Sequence, residues 1–394
     1  MSPQFAHLTL YLRRNSRTLS LFIFLFLLLL RTSSPSSSSL DPSLTSLRGE
    51  SYKQFGGALR QGTFKSSTGV KDKTSKSTSF KIAAVADLDK RSKKGEKEWY
   101  SVLLPGVLTR ASITGGYDVV WEEEVVITTK HNEGGRGMEL SELTVYDGRL
   151  LSFGDRTGIV FEFVKDKLGQ LISVPRFILT EGDGDTDKGM KVEWSTVKDG
   201  NLYIGSFGKE FTNQDGDVVN RNNMWIVVLD HWGHVKRYDW TDIYNEVRAS
   251  VGCESPGYLV HEAVLWSEVK KRWMFLPRRM SKTAYDDVED ERKGSNILIT
   301  SDPTFRDIKT VQINVPKSDG LRGFSTFAFV PGTRDQHAIA LRSVEEECAG
   351  EDESRCRQRT YAMVFDTDSG EVMMQERLVS ENMKFEGVEF VDVH

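Results

Sequence analysis

The run GDGDTDKGMKVEW at residues 182–194 sets three aspartates on alternate positions, then a glycine, then a glutamate near its end. Oxygen donors so spaced suit a hard divalent cation, and calcium in an EF-hand loop is the first chemistry to test. That loop needs glycine at its sixth position and a bidentate glutamate at its twelfth. Counted from Asp183, those positions hold Lys188 and Trp194, with Gly189 one place late and Glu193 one place early. The flanks LISVPRFILT and VEWSTVKDGNLYIGSF are rich in β-branched and aromatic residues with turn signals, which is strand rather than helix chemistry. The aspartates therefore form an acidic loop, and Glu193 is the residue left to explain.

Glu193 has counterparts along the chain. SELTVYDG (141–148), EWSTVKDG (193–200) and STFAFVPG (325–332) each begin with Ser or Glu, pass through an apolar strand and reach a turn glycine. HEAVLWSEVKKRWMFLP adds Glu262 with a charged turn, and FEGVEFVDV adds Glu386. The starting positions lie 52, 69, 63 and 61 residues apart, each interval long enough for a four-stranded antiparallel blade. Ser141, Glu193, Glu262, Ser325 and Glu386 would then head the inner strands and ring one axis. Three carboxylates facing each other across a narrow tunnel repel unless a cation lies between them. With no Cys or His at these positions, the donor set favours a hard ion. An irregular ring completed by water suits calcium better than magnesium's strict octahedron.

The elements that must position this ring are strands. From residue 80 onward, short apolar segments with frequent turn residues outnumber helical patterns, so residues 80–394 are predicted to be an all-β, five-bladed β-propeller around a calcium-binding tunnel. An ordinary sandwich is the alternative. KIAAVADL, WYSVLLPGVLT and YDVVWEEEVVITT supply three strands before Ser141, and the segment from Glu386 has room for one more. Together they complete a blade and close the ring, which removes exposed sheet edges. The clearest helix is WTDIYNEVRASVG, with Thr241 or Asp242 as its cap.

Upstream, Arg13, Arg14 and Arg17 precede LSLFIFLFLLLL. Twelve residues span about 18 Å of helix, short of the ~30 Å hydrocarbon core. Residues 1–31 therefore read as a signal peptide or a retained signal anchor, and either sends the rest across a membrane. Residues 32–79, rich in Ser, Thr and Lys, read as a disordered low-complexity stem. A net charge of −5 without a dense basic stripe argues against a nucleic-acid partner. Membrane contact is expected only through the N-terminal segment if it stays uncleaved. Cys348 and Cys356 bracket AGEDESR and are either a local disulfide or two free thiols; Cys253 is left over, buried or available to a partner. Walker, GxSxG and HExxH motifs are absent, so P-loop, serine-hydrolase and zincin chemistry have no support.

RGMELSEL, GDGDTDKGMKVEW, GYLVHEAVLWSE, RWMFLPRRMS and RGFSTFAFVPGT resemble the calcium-activated soluble apyrase family, which includes vertebrate calcium-activated nucleotidases and arthropod salivary apyrases. The likeness runs over about residues 80–394. It implies a five-bladed propeller with tunnel calcium that hydrolyses nucleoside di- or triphosphates. The family's calcium positions fall on Ser141, Glu193, Glu262, Ser325 and Glu386, and Glu142 matches an acidic residue that follows the first of them. Vertebrate members keep a signal anchor, act in the endoplasmic reticulum and Golgi and prefer UDP and GDP. The arthropod enzymes are secreted and act on extracellular ATP and ADP. Members can also dimerise.

Splitting a phosphoanhydride needs charge neutralisation, a positioned water and a base for its proton. Calcium acidifies bound water weakly, so a carboxylate base is expected: Asp87 or Asp89 in VADLDK, or Asp155 in FGDRTG. Arg156, and Arg278 or Arg279 in FLPRRMS, are the candidate phosphate clamps, since a guanidinium fork matches phosphate geometry. The catalytic set is thus Asp87, Asp155, Arg156 and Arg278. Trp194 and His261, beside ring glutamates, read as core. A non-catalytic propeller, locked by calcium and binding a protein on its top face, is the rival from a different class.

Overall fold

Asp-Gly pairs set two of the hairpins. In Tyr146–Arg149 and Lys198–Asn201 the central Asp and Gly both take positive φ (49° and 71°; 50° and 74°), a two-residue turn whose twist matches the flanking strands. Antiparallel hairpins with turns of several lengths build the rest of the molecule. The computed structural model describes residues 64–393 apart from 73–76, 113–114, 214–216, 317–319 and 349–354. Residues 1–31, expected to be a targeting segment, and residues 32–63 of the expected stem lie outside the described residues.

In chain order the strands are β1 (Val70–Asp72), β2 (Ser77–Asp87), β3 (Trp99–Ala111), β4 (Tyr117–Trp121) and β5 (Val125–Thr129). Next come β6 (Leu140–Tyr146), β7 (Arg149–Gly154), β8 (Ile159–Lys165) and β9 (Leu171–Ile178), which form one antiparallel sheet. The following sheet holds β10 (Trp194–Lys198), β11 (Asn201–Gly205), β14 (Trp225–Leu229) and β15 (Val235–Asp239), with a separate hairpin of β12 (Phe211–Thr212) and β13 (Val218–Asn220). Two more four-stranded sheets are β16 (Tyr258–Ser267) to β19 (Ile308–Gln312), with β17 at Arg272–Ser281 and β18 at Ile297–Ser301, and β20 (Gly323–Phe329) to β23 (Val372–Ser380), with β21 at His337–Glu346 and β22 at Arg357–Asp366.

The chain's last strand, β24 (Lys384–Glu389), pairs antiparallel with β2 and so joins the N-terminal sheet. This is the expected exchange, one strand from the end of the chain with three segments from its beginning. The third segment differs from expectation in one respect. YDVVWEEEVVITT is two strands, β4 and β5, both paired to β3, because the Glu122–Glu124 run interrupts the pairing. Described structure also starts ahead of residue 80: Phe64 is buried, Ser66 bridges Val391, and β1 pairs with the start of β2.

Ring closure is visible in the core. Five apolar clusters each join one sheet to the next. Leu151, Val160 and Ile204 link the first four-stranded sheet to the second, and Trp194, Trp240 and Phe275 link the second to the third. Met274, Phe324 and Met363 link the third to the fourth, Leu341 and Ile82 the fourth to the N-terminal sheet, and Ala83, Leu103 and Phe161 that sheet to the first. Five blades and five interfaces make a closed propeller.

Helix α1 (Thr241–Ala249) lies in the region predicted helical, but its cap is shifted. Trp240 takes the cap position, and the Asp239 carboxylate accepts from Thr241 N at 2.8 Å, so neither Thr241 nor Asp242 does that work. Cys348 and Cys356 are disulfide-bonded; Cys253 is free and buried.

Candidate active site

The five ring residues share a backbone device. In β6 the pairing with β7 jumps from Leu140–Gly154 to Leu143–Ser152, leaving Ser141 and Glu142 opposite one residue. Pairing likewise skips Glu262 in β16, Ser325 in β20 and Glu386 in β24. Ahead of β10, Glu193 N donates to Gly205 O at 2.9 Å while Trp194 also pairs with Gly205. Each is a β-bulge, which breaks the alternation of a strand and re-aims one side chain. Gly387 follows the last of these, where an added Cβ would lie 2.5 Å from Leu143 N. Close approach of β24 to β6 therefore requires glycine there.

The bulges bring Glu193, Glu262 and Glu386 to one cavity of about 420 Å³, also lined by Asp87, Asp89, Asp155, Arg156 and Arg278. All four predicted catalytic residues are thus together with three of the predicted metal ligands. Ser141 and Ser325 are buried on the same ring but turn away from the cavity: Ser141 Oγ donates to Val192 O, and Ser325 Oγ pairs with Ser343 Oγ. Glu142 faces a second space of about 220 Å³ lined by residues farther along the inner strands, where it accepts from Leu143 N (2.8 Å) and Thr326 Oγ1 (3.1 Å). Asp183, Asp185 and Asp187 are exposed and line neither space.

Internal cations meet the ring carboxylates. Lys191 Nζ pairs with Glu193 and with Asp155 Oδ2 (2.9 Å). Arg278 Nη1 bridges Glu262 and Glu386 Oε1 (2.8 Å), and its Nη2 reaches Glu345 (2.6 Å). Lys384 Nζ lies 3.0 Å from Asp87, 3.1 Å from Glu345 and 3.2 Å from Glu386. Burial raises the Glu193 and Glu386 carboxyls; Lys191 and Lys384 oppose that rise, and Glu262 adds to it. Glu345 is buried too, yet Lys384 and Arg278 outweigh its desolvation and hold it well below the usual carboxylate range. Arg279 is occupied elsewhere, donating to Leu321 O at 3.1 Å. Trp194 is fully buried with Nε1 donating to Ser206 O at 3.0 Å, and His261 stacks on Tyr244 in the core.

Sequence reasoning missed Lys191, Lys384, Glu345 and Glu139. Two carried a signal: KVE and KFE repeat a lysine two places before a ring glutamate, which on a strand is the same face. Glu139, whose carboxyl burial raises to about 7 against a paired Arg136, has an oxygen within 4.8 Å of those of Asp87 and Asp89.

A family profile described as Apyrase matches residues 88–391. The chain belongs to the apyrase family. Its similar relatives include the rat protein named soluble calcium-activated nucleotidase 1, 42% identical over 316 residues covering 79% of this chain and 74% of that one. A bed bug (Cimex lectularius) apyrase is 39% identical, covering 79% and 82% of the two chains. The Caenorhabditis elegans apyrase apy-1 is 38% identical over 79% and 84%.

The donor set of this apyrase fits a calcium ion. Ring ligands are oxygens only, and nine carboxylates against five cationic side chains leave the cavity short of positive charge. Asp155 Oδ1 is buried with no hydrogen-bond partner, an open acceptor beside the ring. Arg156 is its complement: half exposed, its guanidinium stands 3.8 Å from both Asp155 and Glu139, beyond hydrogen-bond reach. One unsatisfied acceptor and one uncommitted fork of donors thus face the same space.

Proposed function

We propose that this apyrase is a calcium-dependent hydrolase of nucleoside diphosphates, UDP and GDP among them, acting in the lumen of the endoplasmic reticulum or Golgi. Nucleotide phosphoanhydride hydrolysis is the activity that its family membership supports. The observation that carries the reading is the convergence of Glu193, Glu262 and Glu386 on a cavity that also holds Asp155 and Arg156. Glu193, Glu262 and Glu386 would hold the ion through their carboxylates, with Ser141 and Ser325 completing the same ring of bulges and Glu142 behind it. A calcium ion held there would supply charge neutralisation and a template for the phosphate oxygens.

The chain's own residues supply the rest. Arg156 grips the terminal phosphoryl through two parallel N–H donors. A water attacks the terminal phosphorus; its oxygen forms the new P–O bond as the bond to the bridging oxygen breaks. The bridging oxygen leaves with its electron pair on the nucleoside monophosphate. Asp155 Oδ1 takes the water's proton and later returns it to solvent, so the products are monophosphate and orthophosphate. Asp87 is less suited to be the base, since Oδ1 accepts from Asp89 N (2.8 Å) and Oδ2 pairs with Lys384. Arg278 serves the carboxylates rather than the substrate.

Phosphate release from UDP, GDP, ADP and ATP, with and without a calcium chelator, tests this. Chelator-sensitive turnover that favours UDP and GDP is expected. Dominant ATP and ADP hydrolysis by secreted protein would replace the lumenal reading, and chelator-sensitive melting without turnover would replace catalysis by a scaffold role.

A further inference from the structure

Beside the active cavity lies a second space of about 280 Å³ whose charge is of the opposite sign. Lys90, Arg91, Arg136 and Arg156 line it against two carboxylates, Asp89 and Glu345. Both carboxylates are already engaged: Asp89 Oδ2 accepts from Gln358 Nε2 at 2.8 Å, and Glu345 pairs with Arg278 and Lys384. Two of the cations are held in place from behind. Arg136 is fixed by a two-pronged contact with buried Glu139, and Arg91 donates to Asn382 O (2.8 Å) and to Gln358 Oε1. The Cys348–Cys356 disulfide closes one wall. Asp89, Arg156 and Glu345 line both spaces, so the two communicate at Arg156.

We infer that this annex binds a phosphate dianion. A dianion set free among nine carboxylates is repelled, and the annex is the adjoining space where cations outnumber acids. Several guanidiniums held at fixed positions suit tetrahedral phosphate oxygens better than a mobile ammonium does. As to where the dianion comes from, the inference rests on the hydrolase reading: released orthophosphate passes Arg156 into the annex before it leaves. The same chemistry would seat the terminal phosphoryl of a bound nucleotide.

The test titrates orthophosphate into the full chain by calorimetry and by ³¹P line broadening, for the wild type, Arg91→Gln and Lys90→Met, with folding checked by circular dichroism. Orthophosphate should bind the wild type, and each variant should weaken it about five- to tenfold. Inhibition kinetics then separate the sources. A raised orthophosphate Ki with unchanged nucleotide KM identifies the product; Ki and KM rising together identify the substrate's terminal phosphoryl. Absence of orthophosphate binding in the wild type, or wild-type affinity in the folded variants, overturns the annex. Direct binding needs no turnover, so a wild type that fails to hydrolyse nucleotides refutes the hydrolase reading and leaves the annex to its own measurement. Two variants guard against one that does not fold.

Discussion

Replacing Arg278 by methionine removes a nearly fully buried guanidinium that contacts Glu262, Glu386 and Glu345 at once. Methionine keeps an apolar stem of similar reach, so packing loss is small and the charge effect dominates. Removing one partner of a buried ion pair costs about 3–5 kcal/mol, because the remaining charge keeps its desolvation penalty. Lys384 remains beside Glu386 and Glu345, which places the loss toward the lower end, whereas Glu262 is left without a cation. With an unfolding entropy of roughly 2.1 cal/mol/K per residue over Gly62–His394, a loss of about 3–4 kcal/mol lowers Tm by about 4–6 °C without calcium. Saturating calcium should shrink the deficit, since a divalent ion at the ring restores the missing positive charge. Differential scanning calorimetry of both proteins, with chelator and with calcium, reads this directly. An equal deficit in the two conditions would refute the idea that Arg278 and the ion serve the same carboxylates.

Asp155→Asn should lower kcat by about 10²–10⁴-fold in steady-state assays, the usual range for a lost general base; a loss below tenfold would move that role elsewhere. Glu193→Gln should abolish the rise in melting temperature that calcium gives the wild type, measured by thermal shift across a calcium titration. His337 is buried against Tyr117, with its pKa lowered first by burial and then by Arg110. It folds neutral, so the unfolded chain binds the extra proton below about pH 6.5 and stability falls as pH drops through that value. Denaturant midpoints from pH 7.5 to 5.5 should show this slope reduced in His337→Gln. Gly387→Ala should destabilise the fold, because its Cβ meets the backbone of Leu143 and Glu142 rather than a side chain that could move; an unchanged urea midpoint would contradict the close packing of β24 on β6.

Much of this was legible in the sequence because the ring repeats. Glu193, Glu262 and Glu386 could be aligned by the strand and turn that follow each, and the strand count at the two ends foretold the closing blade. The bulges were not legible: whether one residue drops out of a ladder depends on the partner strand, which lies elsewhere in the chain. For the same reason the contacts of Arg278, expected as a phosphate clamp, with Glu386 and Glu345 far along the sequence could not be read. Lys191 and Lys384 sat in plain view two places before their glutamates, and only the expectation of an external cation kept them from being read as internal ones. The α1 cap was missed because Asp239, two residues upstream, supplies the acceptor that a single-residue cap rule assigns to Thr241 or Asp242.

The placement of Glu386 in β24 has a consequence for biosynthesis. A ribosome has to pass β24 before the fifth ring position exists, and the same strand completes the N-terminal sheet through β2. Until then the nascent polypeptide holds four ring positions of an open arc, with β2 offering an unpaired margin. Completion of the ring of bulges and closure of the propeller are therefore one event that follows the other blades, and a message truncated shortly before Lys384 encodes neither.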